Sequence, residues 1–206
     1  VTAHSFGRLN IHFLGAEISE SGHKGCYFVI RPFGNYLIFS LDRLEINTTF
    51  IKNKGGIYKQ LLTGLHQVTA QGKQFFTTFG CSAILPPDGD PNHFDTALRF
   101  EVYQTHFRDK AIHYYPVGNG HWIHLRNQAE RGILFTDEGL LIENGQWILK
   151  SQPTTAQLET LRDLEVDVVM PRLFTGPTPY QALSSELYAA KLADLRMQSR
   201  GGDYPE

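Results

Sequence analysis

Cysteine is scarce in this chain: two residues of 206, Cys26 and Cys81. They form no C-x-x-C pair and imply no disulfide framework, so the expectation is two small buried strand residues in a reduced, intracellular protein. No apolar run reaches membrane-spanning length, and residues 1–10 lack the basic-then-apolar layout of a secretory signal. A cytoplasmic chain with no membrane partner is therefore expected. No Lys- or Arg-rich run dominates any segment and the formal net charge is −2, which argues against phosphate-driven nucleic-acid binding. No short-period repeat occurs, no G-x-S-x-G elbow is found, and no Ser-His-Asp order stands out. What is present is 41% hydrophobic and 19% charged residues, the balance of a folded globular protein. The length suits one domain over 1–206, with 200–206 as a mobile tail.

The first half reads as strands. Residues 9–14 alternate apolar and polar side chains. Residues 26–31 and 36–39 flank Pro32-Phe33-Gly34-Asn35, which predicts a hairpin. A short helix is expected over 46–54, a buried strand over 57–62, a helix over 70–79 stopped by Gly80, and a strand over 82–85. Residues 86–92 are turn chemistry, and their aspartates lack the twelve-residue calcium pattern. Short strands follow over 97–103, 112–115, 122–125, 132–135, 140–143 and 146–149, with Asn144-Gly145 marking a hairpin. Thr154 and Gln157 form a capping-box pattern before Leu158, Leu161 and Leu164. Residues 166–170 read as a buried strand ending at Pro171. Thr178-Pro179-Tyr180-Gln181 repeats the capping device, with Leu183, Leu187, Ala190, Leu192 and Leu195 as the apolar side of a last helix.

One stretch carries more than periodicity. Residues 56–72 read GIYKQLLTGLHQVTAQG. This resembles the "GGI…ILLTH" lead-in to the H-x-H-x-D-H motif of the metallo-β-lactamase superfamily. The ligand places fall on Gly64, His66, Val68 and Thr69. Other landmarks follow in order. The 26–39 hairpin resembles the early strands of that family, with Phe39 or Ser40 where its aspartate stands. Residues 116–123 resemble "PGHTPGSI", the ligand histidine falling on Gly118. Residues 133–138 resemble "LLFTGD", its bridging aspartate falling on Glu138, or on Asp137 with a slip of one. Residues 168–173 resemble the strand end that carries the last ligand, which falls on Leu173. Five of these seven places lack a ligand side chain, leaving His66 and one acid. The resemblance spans most of residues 8–197 and implies an α/β fold, a four-layer αββα sandwich of two packed sheets covered by helices.

Zinc centres require three or four protein ligands, so the resemblance implies a cradle without its metal, and no cofactor is expected. His66 is a candidate residual ligand or acid–base group, against the plainer reading of a locally bonded loop histidine. Asp137 and Glu138 are candidate catalytic acids at a strand end, against a solvated turn. His93, His106, His113, His121 and His124 raise a relocated site. His121 and His124 point to opposite faces of a strand, whereas His121 with His113 on a neighbouring strand is an easier pair. Arg172 next to the lost last ligand, with His121 and Trp122, is a candidate ligand-binding group. A guanidinium there replaces a cation's charge and takes an anion, against the plainer reading of an arginine pointing to solvent. Tyr114, Tyr115 and Trp122 flank the Gly118 gap as core or as pocket lining. The leading expectation is a non-hydrolytic binding or regulatory module with a small-molecule or protein partner, homo-oligomerisation being open. The alternatives are a zinc- or iron-dependent hydrolase with an altered, mononuclear site using His66, Glu138 and an unassigned histidine, and a metal-free hydrolase using His66 and an acid.

Overall fold

The alternating run after Asn10 becomes a nine-residue strand, and the chain folds back on it at once. The computed structural model describes residues 5–6, 10–40, 48–68, 78–90, 100–104, 107–126 and 132–200. The chain divides into two units, Val1–Asp109 and Lys110–Glu206.

In the first unit, β1 (Ser5–Phe6), β2 (Ile11–Ser19), β3 (Gly22–Val29) and β4 (Tyr36–Ile38) pair antiparallel in sequence order. The expected hairpin at 32–35 is therefore present. The helix expected over 46–54 is α1 (Thr48–Asn53). Beyond β4 the pairing turns parallel, through β5 (Lys59–Leu61), β6 (Ser82–Leu85) and β7 (Phe100–Val102). Strand β7 is only partly buried, whereas β4 and β6 are buried throughout and β5 nearly so, as suits a parallel interior. Leu14, Cys26, Phe28, Leu37, Ile51, Leu62, Ala83 and Leu85 form its core. Both cysteines are buried and neither is in a disulfide. A single 3₁₀ turn, Leu65–Gln67, follows β5. Residues 70–77 of the helix expected over 70–79 lie outside the described residues, as do 97–99 of the strand expected over 97–103. Residues 78–79 are helical, and Gly80 follows with a φ of +62°, the left-handed conformation of a helix stop.

The second unit comprises β8 (Ile112–Val117), β9 (Gly120–Leu125), β10 (Ile133–Glu143), β11 (Gln146–Leu149), α2 (Thr155–Arg162), β12 (Val168–Thr175), β13 (Gln181–Ala182) and α3 (Ser185–Arg200). Strands β8, β9 and β10 are antiparallel neighbours, β12 joins β10 in parallel, and β13 lies along β12. The Asn144-Gly145 hairpin is present, with φ of 48° and 82°, as a type I′ turn requires.

Four expectations need correction here. Residues 132–135 and 140–143 are not two strands but one, because Leu140–Glu143 exchanges hydrogen bonds with β11 while Ile133–Phe135 exchanges them with β9. Asp137 and Glu138 therefore lie within a strand, not in a solvated turn. The strand after Val166 does not end at Pro171. It runs on to Thr175, since Pro171 falls beside a register break where its missing N–H is tolerated. The last helix begins at Ser185, not at Pro179. Ser184 Oγ accepts from the Leu187 N–H 3.1 Å away, while Gln181 lies in β13 and is bonded to Trp147 and Gly145. That shift turns Leu187 outward, leaving Tyr188, Leu192 and Leu195 as the buried side. The Thr154 capping box forms as expected. Arg200 closes α3, and residues 201–206 lie outside the described residues. No helix among the described residues is long and apolar enough to cross a membrane.

Candidate functional site

The second unit has its strongest irregularity where β10 changes partners. In the β10–β12 ladder Thr136 faces Pro171, and the next matched pair is Leu141 with Leu173. Four residues of β10, 137 to 140, thus oppose one residue of β12, Arg172. Such bulges re-aim side chains. Here Asp137 and Glu138 are held at the seam between the β9-paired and β11-paired halves of the strand.

Asp137 is 7% exposed. Its Oδ1 accepts from the Trp122 Nε1–H at 3.1 Å and from the Gly139 N–H at 2.9 Å, and the His121 backbone N–H also bonds the carboxylate. Burial pushes the carboxyl up from 3.8 to about 6. The Gly139, Trp122 and His121 donors pull it down, and the Glu138 charge adds to the rise. Two glycines make room: a Cβ on Gly120 would lie 1.9 Å from Asp137 Oδ2, and one on Gly139 would lie 2.9 Å from Oδ1.

Arg172 enters from the other side of the bulge, with Nε 3.5 Å from Glu138 Oε1. Its side chain is 6% exposed and that of Glu138 is 24% exposed. Gly118 adopts a φ of +59°, and a Cβ there would stand 2.8 Å from Ser151 Oγ, the atom that a Cβ on Gly139 would also meet. That hydroxyl is buried and meets no hydrogen-bond partner among the described residues. The Gly118 N–H donates to Gln157 Oε1 at 2.9 Å, the same oxygen that accepts from the Thr154 N–H at 3.0 Å. One amide thus closes the capping box and pins the β8–β9 turn.

In the first unit, His66 lies exposed on the 3₁₀ turn with its ring over Gly64. A Cβ at 64 would be 2.6 Å from His66 Cε1. The loop is held by Gln67, which was not legible as a functional position. Its Oε1 accepts from the Thr63 N–H at 2.9 Å, its Nε2 donates to Thr63 Oγ1 at 2.7 Å, and its carbonyl accepts from Ser40 Oγ. Ser40, one of the two positions aligned with a family aspartate, therefore braces the loop.

The other candidates are placed as follows. His121 and His113 are not opposite each other. The β8–β9 register sets His121 against Pro116 and His113 against His124, so the expected pair does not form. His124 is buried, its Nε2 bonds the Glu165 carbonyl, and burial lowers its pKa. His121 is 7% exposed and packs edge-on to Tyr114. Trp122 is fully buried, with its indole N–H committed to Asp137. Tyr114 is buried and Tyr115 partly so. His93 and His106 lie outside the described residues, as does Thr69.

A zinc or iron centre requires convergent ligands. Among the described residues no group of three or more His, Cys, Asp or Glu side chains comes together. Asp137 already serves three N–H donors, and Ser151 backs Gly118. The residues described do not fit such a centre.

No family model and no curated protein matches the chain. Solved structures do. A B3 metallo-β-lactamase with an active-site glutamic acid is 12% identical with a TM-score of 0.59, over 96% of this chain and 90% of that one. The mono-zinc form of the metallo-β-lactamase FIM-1 from Pseudomonas aeruginosa is 15% identical with a TM-score of 0.59, over 94% of each chain. A metallo-β-lactamase from Staphylococcus aureus subsp. aureus COL is 11% identical with a TM-score of 0.61, over 98% of this chain and 69% of that one. At such identities the likeness speaks for the fold alone.

Proposed function

On the metallo-β-lactamase fold that this chain adopts, we propose a non-hydrolytic binding or regulatory module whose metal cradle is degenerate. The observation that supports it is what fills two of the ligand places. The His66 ring stands against Gly64, and Ser151 stands against Gly118. Lewis-acid catalysis of hydrolysis needs an open, charged position at the metal. Here those two spaces hold the chain's own side chains. The partner is a small molecule or a protein.

Metal analysis of chelator-free protein, zinc titration and a panel of ester, lactam and phosphodiester substrates test this reading. Lactams belong in the panel because the structural neighbours are metallo-β-lactamases by name. The expected result is no stoichiometric metal and no turnover. Stoichiometric zinc or iron, lost together with activity in His66→Ala, would overturn it and favour the mononuclear hydrolase.

One observation favours a second reading, the metal-free hydrolase. Asp137 is held at about 6, where a carboxyl exchanges protons near neutrality. Turnover by metal-free protein, abolished by Asp137→Asn, would establish it.

A further inference from the structure

We propose that Arg172 is a built-in counter-cation for the acidic bulge of β10, a guanidinium standing in for the metal ion that acids need when they are brought together inside this fold. The proposal rests on the reading of a metal-free cradle. Two carboxyls, a buried Asp137 and a half-buried Glu138, are adjacent in a strand that is buried on either side of them. Burying like charges side by side costs free energy unless a cation or a dense set of donors compensates. Asp137 takes its compensation from three N–H groups, those of Trp122 and His121 on β9 and that of Gly139 on its own strand. Glu138 has a guanidinium 3.5 Å away.

The geometry makes Arg172 more than a neighbour. It is the one residue of β12 that stands against four residues of β10, between the Pro171 and Leu173 matches. The bulge opens a gap in the ladder, and a long, permanently charged side chain enters it almost wholly out of water. Lone buried arginines are disfavoured, and a buried pair is costly to break by removing one member. The position therefore specifies a cation, and the chain supplies it covalently. A protein built in this way retains its fold without metal and resists metal capture at the bulge, because Glu138 already faces a cation and Asp137 already accepts from N–H donors.

The test is thermal unfolding of the full chain in EDTA, and with zinc chloride or magnesium chloride added. Arg172→Met is expected to lower the midpoint by on the order of 10 °C. Arg172→Lys retains the charge and loses less than half of that. Glu138→Gln removes the carboxylate 3.5 Å from the Arg172 Nε and also loses stability. The double variant Arg172→Met with Glu138→Gln recovers most of the Arg172→Met loss, a non-additivity that an unrelated packing defect does not produce. Zinc or magnesium raises the midpoint of Arg172→Met and leaves the wild type and the double variant where they were. An unchanged midpoint in Arg172→Met, a lysine as damaging as methionine, or metal that stabilises wild type and Arg172→Met alike would each overturn the proposal. If Arg172→Met does not fold, Arg172→Lys carries the test, since it folds only if charge is what the position requires. Failure here is distinct from failure of the functional reading, which is decided by metal content and turnover of the wild type.

Discussion

Gly120 and Asp137 fit together only because position 120 carries no side chain: a Cβ there would stand 1.9 Å from Asp137 Oδ2. The glycine that opens β9 and the acid that anchors the β10 bulge are one structural unit. Gly120→Ala is expected to displace the carboxylate or the strand, costing about 1–3 kcal/mol as overpacking does. Differential scanning calorimetry should show the midpoint falling by roughly 2–4 °C per kcal/mol for a chain of this size. An unchanged midpoint would mean that the carboxylate has room to move aside.

The raised pKa of Asp137 has a definite sign in stability. The folded state binds this proton more tightly than the unfolded chain, so between about pH 4 and 6 the native protein carries more of it. The contribution favours folding at low pH and is lost as pH rises through about 6. The roughly two-unit shift amounts to on the order of 3 kcal/mol. Asp137→Asn retains an oxygen acceptor for Trp122 and Gly139 and does not titrate. Urea unfolding at a series of pH values is expected to show a shallower fall in stability from pH 4 to 6 than in the wild type. Identical slopes would mean that this carboxyl titrates normally.

Gln157 serves two N–H donors with one oxygen. Gln157→Ala is expected to cost more than loss of a helix cap, about 1 kcal/mol, because the Gly118 N–H also loses its acceptor. Hydrogen exchange should show faster exchange at both the Gly118 and Thr154 amides. Protection lost at Thr154 alone would show that the turn is held by something else.

Gln67 organises the loop that carries His66. Its two bonds to Thr63 are buried, and Gln67→Ala leaves the Thr63 N–H without its acceptor, at about 2 kcal/mol. Limited proteolysis is expected to cut within residues 63–68 of the variant and to spare the wild type. Resistance equal to wild type would show that Ser40 is brace enough.

By itself the sequence determined the local signals. The Asn144-Gly145 turn, the Thr154–Gln157 capping box and the 32–35 hairpin were legible because each depends on a few neighbouring residues and their backbone preferences. The missing ligand types at Gly64, Gly118 and Leu173 were legible for the same reason, since identity is local. Tertiary structure alone decided what those residues touch. Thr178 to Gln181 carries a capping pattern, yet pairing with β12 and the bond to Trp147 hold Gln181 in a strand and give the cap to Ser184. Asp137 and Glu138 read as a turn because two hydrophilic neighbours prefer water. Strand partners on both sides, β9 with β11 and β12, draw them into one bulged strand. Whether Arg172 meets solvent or Glu138 depended on a register break between β10 and β12, residues more than thirty positions apart, and no local preference encodes a register.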